Sequence, residues 1–274
     1  MAKKEMKEMS FMDHLEDLRW LMVRGTAAIL ILACACYFID DFIFDTIIFG
    51  PKDPTFITYR FFCEVTHFFG VDDTYACATK FQFIIQNTEV GGQFSMYIWT
   101  LFTAGFILSF PYILWLIWGF ISPALYEKER KHAGAFIIVS SILFFIGVLF
   151  GYFVVLPLSI NFFGTFNVSN TVVNQFTVDS YVSMVKTSLV GSGLVFEMPI
   201  IIYFLAKLGL VSPEFLKKYR KFAIIINLTI AAIVTPPDIP SQVIVAIPLL
   251  VLYEVSIIIA ASVAKKRIKD EQSS

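Results

Sequence analysis

The sequence predicts an all-α polytopic membrane protein with six transmembrane helices and cytoplasmic N- and C-termini. Three observations predict it. Of 274 residues, 57% are hydrophobic and 16% charged, with a mean hydropathy of +0.74, whereas a soluble domain carries roughly 25% charged residues. Apolar runs of membrane-crossing or near-crossing length recur along the chain. Of the 21 Lys and Arg, all but Lys52, Arg60, Lys80 and Lys186 fall in segments on the same side as the two termini, and cytoplasmic segments are the ones enriched in cations. The net charge of −1 is uninformative as a total. No basic patch of the kind that binds nucleic acid occurs, and no Gly-rich phosphate loop.

Residues 1–19 form a charged N-terminus with Lys3, Lys4 and Lys7 early. From Ser10, SFMDHLEDLRWL places Phe11, Leu15 and Leu18 on one helical face and Asp13, Glu16 and Asp17 largely elsewhere, which predicts an amphipathic helix lying on the membrane surface. Leu21 to Ile39 is the first span, with Arg24 snorkelling from its cytoplasmic end. Its Ala33-Cys34-Ala35 imitates a cleavage site. Because further spans come after it, the segment is expected to stay on, with Cys34 and Cys36 as small buried hydrophobes. Residues 40–93 make a long extracytoplasmic connection punctuated by Gly50, Pro51, Pro54 and Gly70. A loop beyond about 15 residues usually has structure of its own, so a partly ordered cap is expected, with short helices near 42–48 and strands near 80–85. Cys63 and Cys77 lie in it, either bridged, if the loop is extracytoplasmic, or as two free thiols.

Phe94 to Ile121 is the second span, kinked near Pro111, and Ala133 to Leu156 the third, ending at Pro157. Tyr181 to Ala206 is the fourth, with Glu197-Met198-Pro199 inside it. Phe222 to Thr235 is apolar but short: about 14 residues at 1.5 Å rise reach roughly 21 Å, against a hydrocarbon core near 30 Å. Such a helix thins the bilayer or tucks behind its neighbours. Val243 to Ala264, interrupted by Pro248 and Glu254, closes the series before a cytoplasmic tail at 265–274. The whole chain reads as one membrane domain.

Chemistry can reside in few places. Glu197 and Glu254 are intramembrane acids, which are costly in lipid and so face protein or water. Thr235-Pro236-Pro237-Asp238, with Ser241 and Gln242 close behind, stops the short helix, and Asp238 can cap the next one. Trp118 to His132, WGFISPALYEKERKH, sets Glu127 and Glu129 at a membrane surface, where carboxylates suit the planar fork of arginine. Catalysis is not expected. The 3 histidines, His14, His67 and His132, all lie outside the spans, so no Ser-His pair forms there. Neither an HExxH zinc site nor a cysteine pair at metal spacing is present.

Several of these patterns converge. HLEDLR at His14–Arg19, FISPALYEKER at Phe120–Arg130, Glu197 before Pro199, TPPDxxSQ at Thr235–Gln242 and AIPxxxxYE at Ala246–Glu254 together resemble TatC, the core membrane subunit of the twin-arginine protein translocase. The order and topology agree over nearly the whole chain. The resemblance implies a cup-shaped six-helix protein with short fifth and sixth helices, in the bacterial cytoplasmic (inner) membrane. It implies a receptor for the twin-arginine signal peptides of folded precursors, powered by the proton-motive force. No cofactor is implied. The implied partners are small single-span subunits of the TatA and TatB type and membrane lipids, in an oligomeric complex.

In that family two acids contact the arginine pair, and they fall here on Asp17 and Glu129. The loop aromatic falls on Phe120, with Arg19 and Tyr126 flanking in the same motifs. The polar residue of the cup falls on Glu197, with Glu254 and Gln242 as further intramembrane polar groups. The outer-loop acid falls on Asp238, beside Pro236. Two departures stand out: Asp17 replaces the usual Glu, leaving Glu16 as an adjacent substitute, and the first extracytoplasmic loop is longer than the family norm. The main alternative is a small-solute secondary transporter relaying protons through Glu197 and Glu254, against which stands the lack of an inverted repeat. A membrane scaffold is a third reading.

Overall fold

The computed structural model describes residues 11–69, 83–121, 133–169, 171, 174–235 and 239–272. Among them, five helical stretches are long and apolar enough to cross a membrane: His14–Ile39, Gly92–Ile121, Phe136–Thr165, Val178–Lys207 and Gln242–Lys265. The chain groups into two compact units, one of residues 1–40 and 101–141, the other of 41–100 and 142–274.

In the first unit, α1 runs unbroken from Phe11 to Cys36, 26 residues or about 39 Å of helix. The helix expected from Ser10 and the first expected span are therefore one continuous helix. No Pro or Gly stands between Phe11 and Arg24 to stop the first turns, and the polar face passes directly into the apolar run. Further on, α1 is packed against the later part of the helix at Gly92–Ile121, which continues through Pro111. A Cβ on Gly105 would lie 2.6 Å from the Ile29 carbonyl and 3.0 Å from the Ala33 Cβ, so glycine there lets the two helices approach backbone to backbone. Trp118 and Phe136 pack with ring centroids 4.9 Å apart.

The second unit opens on a wide π-helical turn at Phe42–Ile48, where a short helix is expected, and continues to α2 (Ile57–Phe69). Helix α3 (Gly92–Ile121) comes next in the chain and passes from this unit into the first. Strand β1 (Ile84–Gln86) pairs in parallel with β2 (Gln175–Thr177), Ile85 opposite Phe176. Of the strand expected at 80–85, residues 80–82 lie outside the described residues. Tyrosines bind this loop down. The Tyr59 hydroxyl donates to the Pro51 carbonyl at 2.9 Å and lies 3.3 Å from that of Pro157. Tyr181 donates to Ile48 at 2.9 Å and Tyr152 to Thr46 at 3.3 Å. Burial, with Tyr181 adding to it, pushes the Tyr59 hydroxyl well above the ordinary tyrosine range.

Helix α4 (Ala133–Phe150) leads into a π-helical turn at Gly151–Val155 and then α5 (Leu156–Thr165). The expected end of this span at Pro157 is not found. The proline sits instead in the first turn of α5, where a missing N–H is tolerated, just after the wider turn. Helix α6 (Val178–Phe196) is capped by Thr177, whose hydroxyl accepts the Ser180 N–H, and passes through Glu197 to α7 (Met198–Lys207). Ser212 caps the short α8 (Pro213–Lys218) in the same way. Helix α9 (Arg220–Val234) has 15 residues, about 22 Å, so the apolar helix expected at 222–235 is present and short.

The last helix departs from expectation. Helix α10 runs 34 residues from Ile239 to Gln272 through Pro248 and Glu254, and its apolar stretch, Gln242–Lys265, is 24 residues long, so the last span is neither interrupted nor short. Packing holds it together through these residues. Val245, Ala246 and Leu249 bury against Phe196, Val155 and Ala231. Tyr253, Ile257 and Ala260 bury against Ile202, Ala206 and Leu216. Neighbouring helices sustain a proline-containing membrane helix in this way.

Candidate functional site

In the first unit, two of the sequence motifs meet. The His14 ring, in the first turns of α1, stacks on Phe120 at the end of α3 with centroids 4.3 Å apart and an interplanar angle of 21°. Asp17 stands three residues beyond His14, on the adjacent turn of the same helix, and Asp17 and Glu16 are both exposed. The stack thus joins the helix that carries these two exposed carboxylates to an aromatic ring on a second helix, with Asp17 one turn from the stacked histidine. Carboxylates only accept when ionised, and two of them offer paired acceptors to a guanidinium or ammonium. Arg19 is a donor, not an acceptor, and its guanidinium lies over the Trp20 ring at 5.7 Å, with Arg24 also near that ring at 5.9 Å. Glu129 and Tyr126 lie outside the described residues. Reading the motif for its acids passes over His14 as a positioning residue, although its place three residues before Asp17 is a signal for it.

In the second unit, Glu197 is buried, with 7% of its surface exposed, and forms the joint between α6 and α7. Its N–H donates to the Leu194 carbonyl, and its own carbonyl accepts from Ile200 and Ile201, each at 3.0 Å. Pro199, lacking an N–H, breaks the regular ladder at this point, and the carboxylate is left at the joint. Phe196, just before it, packs on Phe150 with centroids 5.3 Å apart.

Glu254 lies elsewhere, in an ion pair with Arg220 at 2.7 Å, both side chains about half exposed. Arg220 opens the short helix α9. Nothing local in the sequence singles it out, because the partner is 34 residues away. Gln242 donates to the Leu228 carbonyl at 3.2 Å, joining α10 to α9. Asn227 is also buried in the middle of α9, at 2% exposure. Asp238 and Pro236 lie outside the described residues. Cys63 is disulfide-bonded while Cys34 and Cys36 are free, and Cys77 lies outside the described residues. Among the described residues, no group of three or more His, Cys, Asp or Glu could hold a metal ion.

Comparison with known proteins gives a consistent picture. The family model of the Sec-independent protein translocase protein TatC matches residues 13–248. The TatC of a Blattabacterium strain from Periplaneta americana is 43% identical over 265 residues, covering 97% of this chain and 100% of that one. The TatC of Aquifex aeolicus is 33% identical over 260 residues, covering 94% and 98%. Two crystal structures described as the twin arginine translocase receptor TatC superpose with TM-scores of 0.67 and 0.69 at 31% and 32% identity. Each covers 90% of this chain, and the matches span 97% and 99% of those chains.

Proposed function

This chain belongs to the TatC family of Sec-independent protein translocase proteins, and on that premise we propose that it is a twin-arginine signal-peptide receptor. It is the core subunit of a translocase that exports folded proteins across the bacterial inner membrane, driven by the proton-motive force. The observation that carries the reading is the His14–Phe120 stack, which brings the motif bearing Glu16 and Asp17 to the aromatic that opens the motif bearing Glu129. Asp17 and Glu129 take the two arginines, with Glu16 as the neighbouring acceptor, and each charge-assisted bond contributes about 1.5–3 kcal/mol. The ring of Phe120 offers a face for a guanidinium or an apolar side chain.

The short helix α9 is the fifth of six spans, with both termini on the cytoplasmic side as the Lys and Arg distribution requires. Single-span subunits of the TatA and TatB type assemble around α9, where the bilayer is thinned, and the complex is oligomeric. The ion pair of Glu254 with Arg220 weighs against a proton-relaying solute carrier, because it gives that carboxylate a fixed partner.

The test is binding of a labelled twin-arginine signal peptide to the purified protein, beside the same peptide with both arginines changed to lysine. The arginine peptide is expected to bind, and the lysine peptide, or the Glu129→Gln protein, to lose that binding. Equal binding of both peptides, or none, would refute the receptor reading.

A further inference from the structure

A cavity of about 340 Å³ opens in the second unit where α8 and the start of α9 lie along α10. One face of α10 supplies most of its wall: Glu254, Ile257, Ala261 and Lys265 recur at helical spacing. That stripe extends about 16 Å, from the ion pair at one end to Lys265 at the other. Lys217 and Arg220 border it from the opposite side. The Arg220–Glu254 pair, 2.7 Å long, closes the end nearer the middle of the span, and small Ala261 opens the floor.

The charge is unbalanced. Among the described residues, Lys217, Arg220 and Lys265 line the cavity with one carboxylate, Glu254, which Arg220 already engages. Glu214 stands near Lys217: its carboxyl is held below the ordinary range first by its own N–H, then by the Ser212 hydroxyl and Lys217. Lys218 and Lys221 are exposed on α8 and α9 but do not line the cavity, and Lys266 and Arg267 come after Lys265 in sequence. Lys217 and Lys265, both exposed, stand at the rim of an apolar slot. Ile258, on the same stripe, is 66% exposed within a helix apolar enough to cross a membrane. An apolar slot that is continuous with a lipid-facing surface and rimmed by cations fits an amphiphile with an anionic head.

We propose that this cavity is a binding site for an anionic membrane phospholipid. Lys217 and Lys265 hold its phosphodiester, while its acyl chains lie along Ile257, Ile258 and Ala261. The Arg220–Glu254 pair forms the far wall and sets the depth to which the head enters. The site is separate from the signal-peptide reading and does not depend on it.

The full-length protein in mild detergent tests this by native mass spectrometry and thermal unfolding, with dioleoylphosphatidylglycerol or dioleoylphosphatidylcholine added. Phosphatidylglycerol is expected to give a retained one-to-one adduct and a higher Tm, and phosphatidylcholine neither. Lys217→Gln with Lys265→Gln should weaken the adduct about twenty-five-fold, two cations at the membrane surface each contributing about the factor of five their charge is worth. Lys218→Gln with Lys221→Gln, outside the cavity, should leave it unchanged. Equal retention of the two lipids, or equal loss in both double variants, would overturn the proposal, the second result marking general surface attraction. Protection by inorganic phosphate alone at the same occupancy would also overturn it, in favour of a free-anion site. If the first double variant fails to fold, Ala261→Phe, which fills the slot and keeps every charge, should abolish the adduct. Retention of the lipid by that variant would again refute the site.

Discussion

Gly147 in α4 offers a sharp test of how this fold is held. A Cβ added there would lie 2.7 Å from the Ser192 carbonyl, 2.8 Å from the Phe196 Cβ and 2.9 Å from the Gly193 Cα. All three are main-chain atoms or a Cβ, so no flexible side chain can swing away. To reach ordinary contact, α4 and α6 must part by about 0.5–0.7 Å, and interhelical contacts lose much of their dispersion energy over such a gap. Overpacking of this kind costs about 1–3 kcal/mol, offset by about 0.5–1 kcal/mol gained when alanine replaces a helical glycine. Gly147→Ala is therefore expected to destabilise by about 1–2 kcal/mol and to lower the Tm in detergent by a few degrees. Gly134→Ala, in the same helix but with nothing within 4 Å of its added Cβ, should be neutral or slightly stabilising. Because Phe196 directly precedes Glu197, the parting would also displace that buried carboxylate, so Gly147→Ala should lower transport beyond what its stability loss explains. If Gly147→Ala unfolds at or above the temperature of Gly134→Ala, the close-approach reasoning is wrong.

Three further perturbations probe other parts of the molecule. Asp53 accepts both the Thr55 N–H and its hydroxyl at 2.8 Å, and these bonds hold its carboxyl below the ordinary aspartate range. A depressed folded value means the turn is fully supported above the unfolded value near 4 and loosens as pH falls through the folded one. Hydrogen exchange at residues 53–56 should rise on acidification, and Asp53→Asn should remove that pH dependence. Tyr59→Phe leaves the Pro51 carbonyl without its 2.9 Å donor and should cost about 0.5–1.5 kcal/mol, read as a lower Tm and faster proteolysis within residues 42–69. Lengthening α9 by one apolar turn would bring it from about 22 to about 28 Å, near the bilayer's hydrocarbon thickness. Export should then fall while signal-peptide binding persists; unchanged export would remove bilayer thinning from the account.

Helices that share one apolar character are legible because each is a local pattern. The runs at 94–121 and 181–206 fall within α3 and the α6–α7 pair, and the shortness of α9 can be read by counting residues between Lys221 and Pro236. Breakers mislead where packing outvotes them. Pro157 and Pro248 sit inside continuous helical runs because the wide turn at Gly151–Val155 and the contacts of Val245, Ala246 and Leu249 compensate for the missing N–H. The join of the N-terminal polar turns to the first span escapes a sequence reading for the opposite reason. An amphipathic pattern running into an apolar one reads as two elements, yet the backbone divides only where a breaker separates them, and none does.

The sequence by itself determined that this is a multi-span membrane protein of the TatC family and which acids bear its charge, because composition, hydropathy and motif order are properties of the chain taken alone. Only the tertiary structure decided who faces whom. His14 on Phe120, Arg220 with Glu254 and the tyrosines seated on the carbonyls of Ile48 and Pro51 join residues from 8 to 133 positions apart. Such partners are selected by how distant segments pack, and no periodicity within one segment encodes the identity of a side chain on another.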